Sequence, residues 1–339
     1  MKRSSTLREA REELARLCLA AKEASRRLAV TSTRTRNRSL EAVASALEAK
    51  GEEIVFKNGI DVEAGRRAGL SDALLDRLTL TPQRVEDMAR GLRDMAALPD
   101  PLGEVVEERV RPNGLVIQKI RVPLGVVAMV YEARPNVTVD SAGLCLKSGN
   151  AVVLRGGKEA INSNTALVHV VAAAAQGAGL PVGSVQLVGS TDRALIQDLV
   201  RMDTLVDLAI PRGGEEMVRA IREMATVPVL SHGRGLCAVY VDKGADLGMA
   251  ERIAFNAKVQ RPGVCNAMET LLVHEDVAVA FLPPMVRRYR DAGVEVRGDK
   301  KARRWGVNSK AMLRAASTAI FWVSTTPNFS AISRIFWST

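Results

Sequence analysis

Aromatic residues make up only 4% of the chain, and along most of its length they do not alternate with basic ones. Stacking on unpaired bases needs that interleaving, so no nucleic-acid partner is expected. Histidine is scarcer still, with His169, His232 and His274 alone, and the four cysteines Cys18, Cys145, Cys237 and Cys265 are widely spaced with no Cys-x-x-Cys pair. Too few ligands remain for a zinc site, and no metal is expected. No apolar run is long enough to span a bilayer, and residues 1–24 are charged and helical in pattern without the apolar stretch of a signal peptide. These absences describe a reduced, cytoplasmic protein without membrane contact.

What is present is ordinary globular composition with a basic excess. The 339 residues suggest about two domains, and 47% hydrophobic content suffices for a core in each. A net charge of +10 favours anionic partners, and with so few aromatics these are expected to be phosphorylated small molecules.

Residues 7–99 read as helices, with Leu14, Leu17, Cys18 and Ala21 on one apolar stripe, so Cys18 is expected in the core. The cations of Arg26 to Arg38 read as a solvated face or an anion-attracting rim. From Val105 to Val122 apolar and polar residues alternate around Pro112-Asn113-Gly114, a hairpin signal, and a long exposed hairpin is a candidate oligomerisation arm. Short apolar runs then alternate with helical segments. Strands are predicted at 126–131, 151–154, 184–188 and 205–210, with helices near 139–147, 162–175, 192–202 and 215–224 between them. That order predicts a doubly wound parallel sheet, whose ligands bind beyond the carboxyl ends of the strands. The loops there are Glu132 to Asn136, Arg155-Gly-Gly-Lys158, Val188 to Thr191 and Pro211-Arg-Gly-Gly214, none of them a dinucleotide fingerprint or a Walker loop. Cys145 falls on an apolar helix face and is expected in the core. A second unit is expected from Val227, opening with a strand pair over 229–241 around a glycine-rich turn. In that turn His232 reads as a general base or as a hydrogen-bonded structural residue.

One stretch of this second unit carries a thiol out of a helix end. Arg261-Pro262-Gly263 breaks the helical pattern of 250–259, which places Cys265 on a loop before a strand at 270–273. Lys258 and Arg261 beside it would favour the thiolate, the reactive form. A small buried hydrophobe is the other reading of such a cysteine, and on this stretch alone both stay open.

The segments 122–136, 147–159, 210–214 and 260–266 (Gln260-Arg-Pro-Gly-Val-Cys-Asn266) together resemble the glutamate-5-semialdehyde dehydrogenases, or γ-glutamyl phosphate reductases, of the aldehyde dehydrogenase superfamily. The resemblance runs from about Leu19 to Ala302. It implies an aldehyde-dehydrogenase-like α/β fold with a Rossmann-like cofactor domain, a catalytic domain and a hairpin oligomerisation arm. It also implies NADPH-dependent reduction of γ-glutamyl phosphate to glutamate 5-semialdehyde in proline biosynthesis. In that chemistry Cys265 is the nucleophile, and the Asn136 amide with the Cys265 N–H holds the oxyanion. Arg155 and Lys158 stand where NAD-preferring relatives carry a lysine and then an acid, so two cations would welcome the 2′-phosphate of NADPH. Gly213 and Gly214 fall on the cofactor-contacting turn, and Lys258 and Arg261 are candidates for the substrate carboxylate. No glutamate stands at Ser231-His232-Gly233 to activate water, which suits a reductase whose thioester must survive. Glutamate kinase is the implied partner because the acyl phosphate is labile, and a homo-oligomer is implied if the arm is intact.

Beyond Ala302 the resemblance stops. Every acidic residue lies at or before Asp299, while Trp305, Trp322 and Trp337 all lie after it. The segment 300–339 shows no clear turn punctuation or amphipathic period and reads as the product of a shifted reading frame or truncated gene, the rival reading being an added nucleic-acid or membrane-surface tail, since basic and aromatic residues mix there. The expected organisation is therefore 1–104 helical, 105–122 arm, 123–226 cofactor-binding, 227–302 catalytic but incomplete, and 303–339 an atypical tail. The alternative function is a non-catalytic remnant that at most binds dinucleotide.

Overall fold

The computed structural model describes residues 2–231, 237–262, 264, 266–298 and 321–326. The chain divides into two compact units, Met1–Ser231 and His232–Thr339.

The first unit opens with five helices, α1 (Lys2–Leu28), α2 (Thr33–Ala49), α3 (Gly51–Arg67), α4 (Asp72–Leu78) and α5 (Pro82–Ala97). Their starts are written in the sequence: the Ser32 hydroxyl accepts from Thr35 N–H, and the Thr81 hydroxyl accepts from Arg84 N–H with Pro82 in the first turn. Leu14, Cys18, Ala21 and Leu28 line the buried face of α1 as the periodicity requires. Strands β1 (Val105–Val110) and β2 (Val116–Ile120) form the antiparallel hairpin, exposed along its whole length. Gly114 at φ 81° closes its turn, a left-handed conformation that glycine adopts without strain.

The sheet follows with β3 (Val126–Tyr131), α6 (Asn136–Lys147), β4 (Ala151–Arg155), α7 (Ile161–Gly177), β5 (Val185–Leu187), α8 (Ala194–Leu199), β6 (Leu208–Arg212) and α9 (Glu215–Met224). Strand order is β5-β4-β3-β6 and every pairing is parallel. The chain winds outward from β3 to β5 and then returns to the other side of β3. That reversal opens a crevice beyond the carboxyl ends of β3 and β6. The strands are apolar on both faces because helices cover both, and β4 is buried at all five positions. Asp207 fixes the other end of the sheet, its carboxylate accepting from Lys22 Nζ at 2.7 and 2.8 Å and from Val126 N–H at 2.8 Å.

Three expectations are corrected in this unit. The last strand starts at Leu208, because Met202 to Val206 close hydrogen-bonded turns instead, and Pro211 and Arg212 belong to the strand rather than to its loop. Among the described residues no strand pair is seen over 229–241: Val229 bridges in parallel to Ala209 of β6, β7 (Ala238–Val241) belongs to the second unit, and the expected turn at 232–236 lies outside the described residues. Arg36, read as part of a solvated face, is buried and ion-paired with Asp100.

The second unit comprises β7, α10 (Leu247–Val259), β8 (Thr270–His274), α11 (Glu275–Asp291), β9 (Val296–Gly298) and β10 (Phe321–Thr326). Its sheet is parallel, ordered β7-β8-β10-β9, over a core that includes Leu271, Val273, Phe281, Leu282, Met285 and Tyr289. The Tyr289 hydroxyl donates to the Ala254 carbonyl at 2.8 Å and so binds α11 to α10. The segment 300–339, read as patternless, thus contains a strand: Phe-Trp-Val-Ser-Thr-Thr is rich in the aromatic and β-branched types that suit one.

Candidate active site

The carboxyl ends of β3, β4 and β6 bring Asn136, Arg155, Lys158, Gly213 and Gly214 to one side of the first unit. Glu132, directly after β3, accepts from Gly214 N–H at 2.9 Å. Gly214 is the residue before α9, so a carboxylate already lies against that helix N-terminus, where anions are favoured. A Cβ on Gly213 would come within 2.7 Å of the Glu132 carboxyl.

The two cations expected side by side are separated by burial. Arg155 is 5% exposed, and its guanidinium donates to the Gly156 carbonyl at 2.7 Å and the Thr191 carbonyl at 3.0 Å. It ties the end of β4 to the loop after β5. Lys158 is exposed.

Beneath this loop runs a buried polar chain that the sequence did not disclose. The Tyr131 hydroxyl and Thr138 hydroxyl lie 2.6 Å apart, and Thr138 donates to the Asn164 side-chain oxygen at 3.0 Å. The orientation follows: with the Thr138 proton given to Asn164, Tyr131 donates to Thr138. Two buried nitrogens in this region have no hydrogen-bond partner among the described residues, Arg155 Nε and Asn164 Nδ2. The available signal was polar side chains on otherwise apolar helix faces.

Asn136 is the first residue of α6, and Pro135 takes the cap position without a side-chain hydrogen bond. Its amide nitrogen donates instead to the Asp140 carboxylate at 3.1 Å. Burial pushes the Asp140 carboxyl above its ordinary value, and the Asn136 N–H works in the opposite direction.

In the second unit Cys265 and Gly263 lie outside the described residues, as does His232. The residues around the thiol are placed. Lys258 is buried, with its ammonium donating to the Met268 carbonyl at 3.0 Å, and so closes the ten-residue span in which Cys265 sits. Burial lowers its pKa, with Glu269 opposing. Arg261 is exposed. The Met268 N–H donates to the Ala257 carbonyl at 2.8 Å, a second tie across the same span.

Among the described residues no helix is long and apolar enough to cross a membrane, and no group of three or more His, Cys, Asp or Glu could hold a metal ion.

The profile of the Aldehyde dehydrogenase family matches residues 4–314. The γ-glutamyl phosphate reductase of Moorella thermoacetica is 56% identical over 283 residues, which cover 84% of this chain and 68% of that one. Among solved structures, the γ-glutamyl phosphate reductase of Thermotoga maritima superposes with a TM-score of 0.87 at 40% identity, covering 96% of this chain and 80% of that one. The Saccharomyces cerevisiae enzyme of the same name gives 0.62 at 32% identity, covering 91% and 79%.

Proposed function

Because the chain belongs to the aldehyde dehydrogenase family, we propose that it reduces γ-glutamyl phosphate to glutamate 5-semialdehyde with NADPH, releasing phosphate. The observation that carries this reading is the family match over 4–314, which takes in both the strand-end loops of the first unit and Cys265 in the second.

The Cys265 thiolate attacks the acyl carbon, and the tetrahedral oxyanion expels phosphate to leave a thioester. Bound nicotinamide supplies the hydride that takes the thioester to the aldehyde level. Each tetrahedral oxyanion is held by the Asn136 amide and the Cys265 N–H, with each such donor worth roughly 3 kcal/mol. Lys258 braces the span that carries the thiol, and Arg261 is an exposed cation open to the substrate carboxylate. No glutamate stands at Ser231-His232-Gly233 to activate water, which suits a thioester that must persist until hydride arrives.

A dinucleotide suits the first unit for local reasons. The crevice lies at the strand reversal, Gly213 and Gly214 stand at the turn into α9, and two buried donors below the β4 loop have no partner among the described residues. In the preference for NADPH, Lys158 supplies the charge facing the 2′-phosphate and Arg155 fixes the loop that carries it. The exposed arm β1–β2 pairs with another copy, and a cytoplasmic glutamate kinase supplies the labile substrate.

The deciding experiment is phosphate-dependent reduction of NADP by glutamate 5-semialdehyde, run on the full chain and on Cys265→Ala. Activity in the parent and none in the variant is expected. Saturable NADPH binding with no turnover in either would establish the alternative, a dinucleotide-binding remnant.

A further inference from the structure

An asparagine that is to stabilise an oxyanion must point one N–H at it, and a side-chain amide on a helix end turns freely unless something holds it. Asn136 is held. Its Nδ2 carries two N–H donors; one goes to the Asp140 carboxylate at 3.1 Å, and the other has no partner among the described residues. The four-residue spacing along α6 stacks the two side chains on one helix face. Since both donors lie in the plane of the amide, fixing the first fixes the direction of the second.

We propose that Asp140 is a positioning residue for acyl transfer: it clamps the Asn136 amide so that the remaining N–H is presented to the oxyanion. This rests on the reading of Asn136 as the oxyanion donor. The acceptor oxygen is what the clamp needs. A full negative charge one amide away from a developing oxyanion opposes it, and burial, which disfavours the ionised form of Asp140, limits that opposition.

The test separates orientation from folding by using two reactions of the same thiol without any cofactor. Acylation of Cys265 by 4-nitrophenyl acetate passes through an oxyanion. Alkylation by iodoacetamide does not. In Asp140→Ala the nitrophenol burst is expected to slow roughly tenfold to a hundredfold, the usual penalty of a misplaced group, while the alkylation rate of Cys265 stays as in the parent. Asp140→Asn keeps an acceptor oxygen and is expected to acylate within about threefold of the parent rate, far less than the penalty of a misplaced group. Asn136→Ala should show the Asp140→Ala loss or more, and the double variant should lose nothing beyond Asn136→Ala. Unchanged acylation in Asp140→Ala, or parallel loss of acylation and alkylation in both Asp140 variants, would overturn the clamp alone. Unchanged acylation in Asn136→Ala would overturn the reading of Asn136 and the clamp with it.

Discussion

The Asn164 side-chain amide lies against Gly156, so near that a Cβ on that glycine would overlap Asn164 Nδ2 and press on the Tyr131 ring at 3.1 Å. The loop after β4, the proposed cofactor loop, therefore rests directly on the buried Tyr131–Thr138–Asn164 chain. Gly156→Ala is expected to cost about 1–3 kcal/mol by overpacking and to lift the loop bearing Lys158. Urea unfolding would record the first effect and NADPH titration by fluorescence the second. An unchanged NADPH affinity would show that the loop height does not matter.

Two of the four thiols are predicted to be silent. Burial pushes Cys18 and Cys145 up to about 12, so at pH 8 only about one in ten thousand of each is thiolate, and both are shielded by the core. Iodoacetamide on the folded protein followed by peptide mass mapping should leave these two unmodified while Cys265 reacts. Cys145 modified as fast as Cys265 would contradict the assignment of the nucleophile.

Asp207 joins α1 to the start of β3, accepting from both the Lys22 ammonium and the Val126 N–H. Asp207→Ala leaves a backbone donor and a half-buried cation without an acceptor, which is expected to cost about 2 kcal/mol or more. Asp207→Asn retains one oxygen and should fall between, as read by the midpoint of urea unfolding. Equal stability of all three chains would mean that solvent replaces the carboxylate.

Asp100 gives an acid-dependent contribution. Burial works to raise its pKa, but the hydrogen bonds from Thr33 and the Leu102 N–H, with the charges of Arg36 and Lys147, outweigh it and hold the carboxyl below its ordinary 3.8. A depressed carboxylate stabilises the fold above its unfolded value, and that contribution disappears as pH falls through the lower folded value. Asp100→Asn strands the buried Arg36 and is expected to cost about 3 kcal/mol at neutral pH. The gap between parent and variant should close below pH 3.8 when unfolding is measured down the acid range. A constant gap would assign the effect to packing.

The fold of the first unit was legible because its signals are local. The hairpin announces itself in Asn113-Gly114, and the helices in the spacing of Leu14, Cys18 and Ala21. Buried strands such as Ala151 to Arg155 are short and apolar between helical stretches. What escaped depends on partners distant in sequence. Nothing near Arg36 shows that Asp100 waits to bury it, and nothing near Val229 shows that Ala209 will bridge it. The same holds in the site. The positions of Asn136, Gly213 and Gly214 at strand ends follow from the strand order, whereas the burial of Arg155 depends on carbonyls at Thr191 and Asp192, and that of Lys258 on the carbonyl of Met268. The strand Phe321–Thr326 was hidden because its neighbours among the described residues, β8 and β9, lie in earlier segments.

If the chain prefers NADPH as proposed, Lys158 is expected to set that preference. It is exposed at the end of the β4 loop, while Arg155 is engaged by carbonyls, so on the proposed reading Lys158 rather than Arg155 is the cation offered to the 2′-phosphate. A lone exposed lysine acts as a point charge and does not make the paired hydrogen bonds of a guanidinium, so its preference should weaken with salt. Lys158→Glu replaces attraction by repulsion toward the phosphate and offers a carboxylate to a free ribose diol. Efficiency with NADPH should fall roughly tenfold to a hundredfold, and that with NADH should rise or hold, in line with one close ion pair of about 1–3 kcal/mol. Steady-state kinetics of semialdehyde oxidation with NADP and NAD, at low and high salt, measure both ratios. If the parent uses the two cofactors equally, or if Lys158→Glu leaves their ratio unchanged, the charge that selects the cofactor lies elsewhere on the crevice.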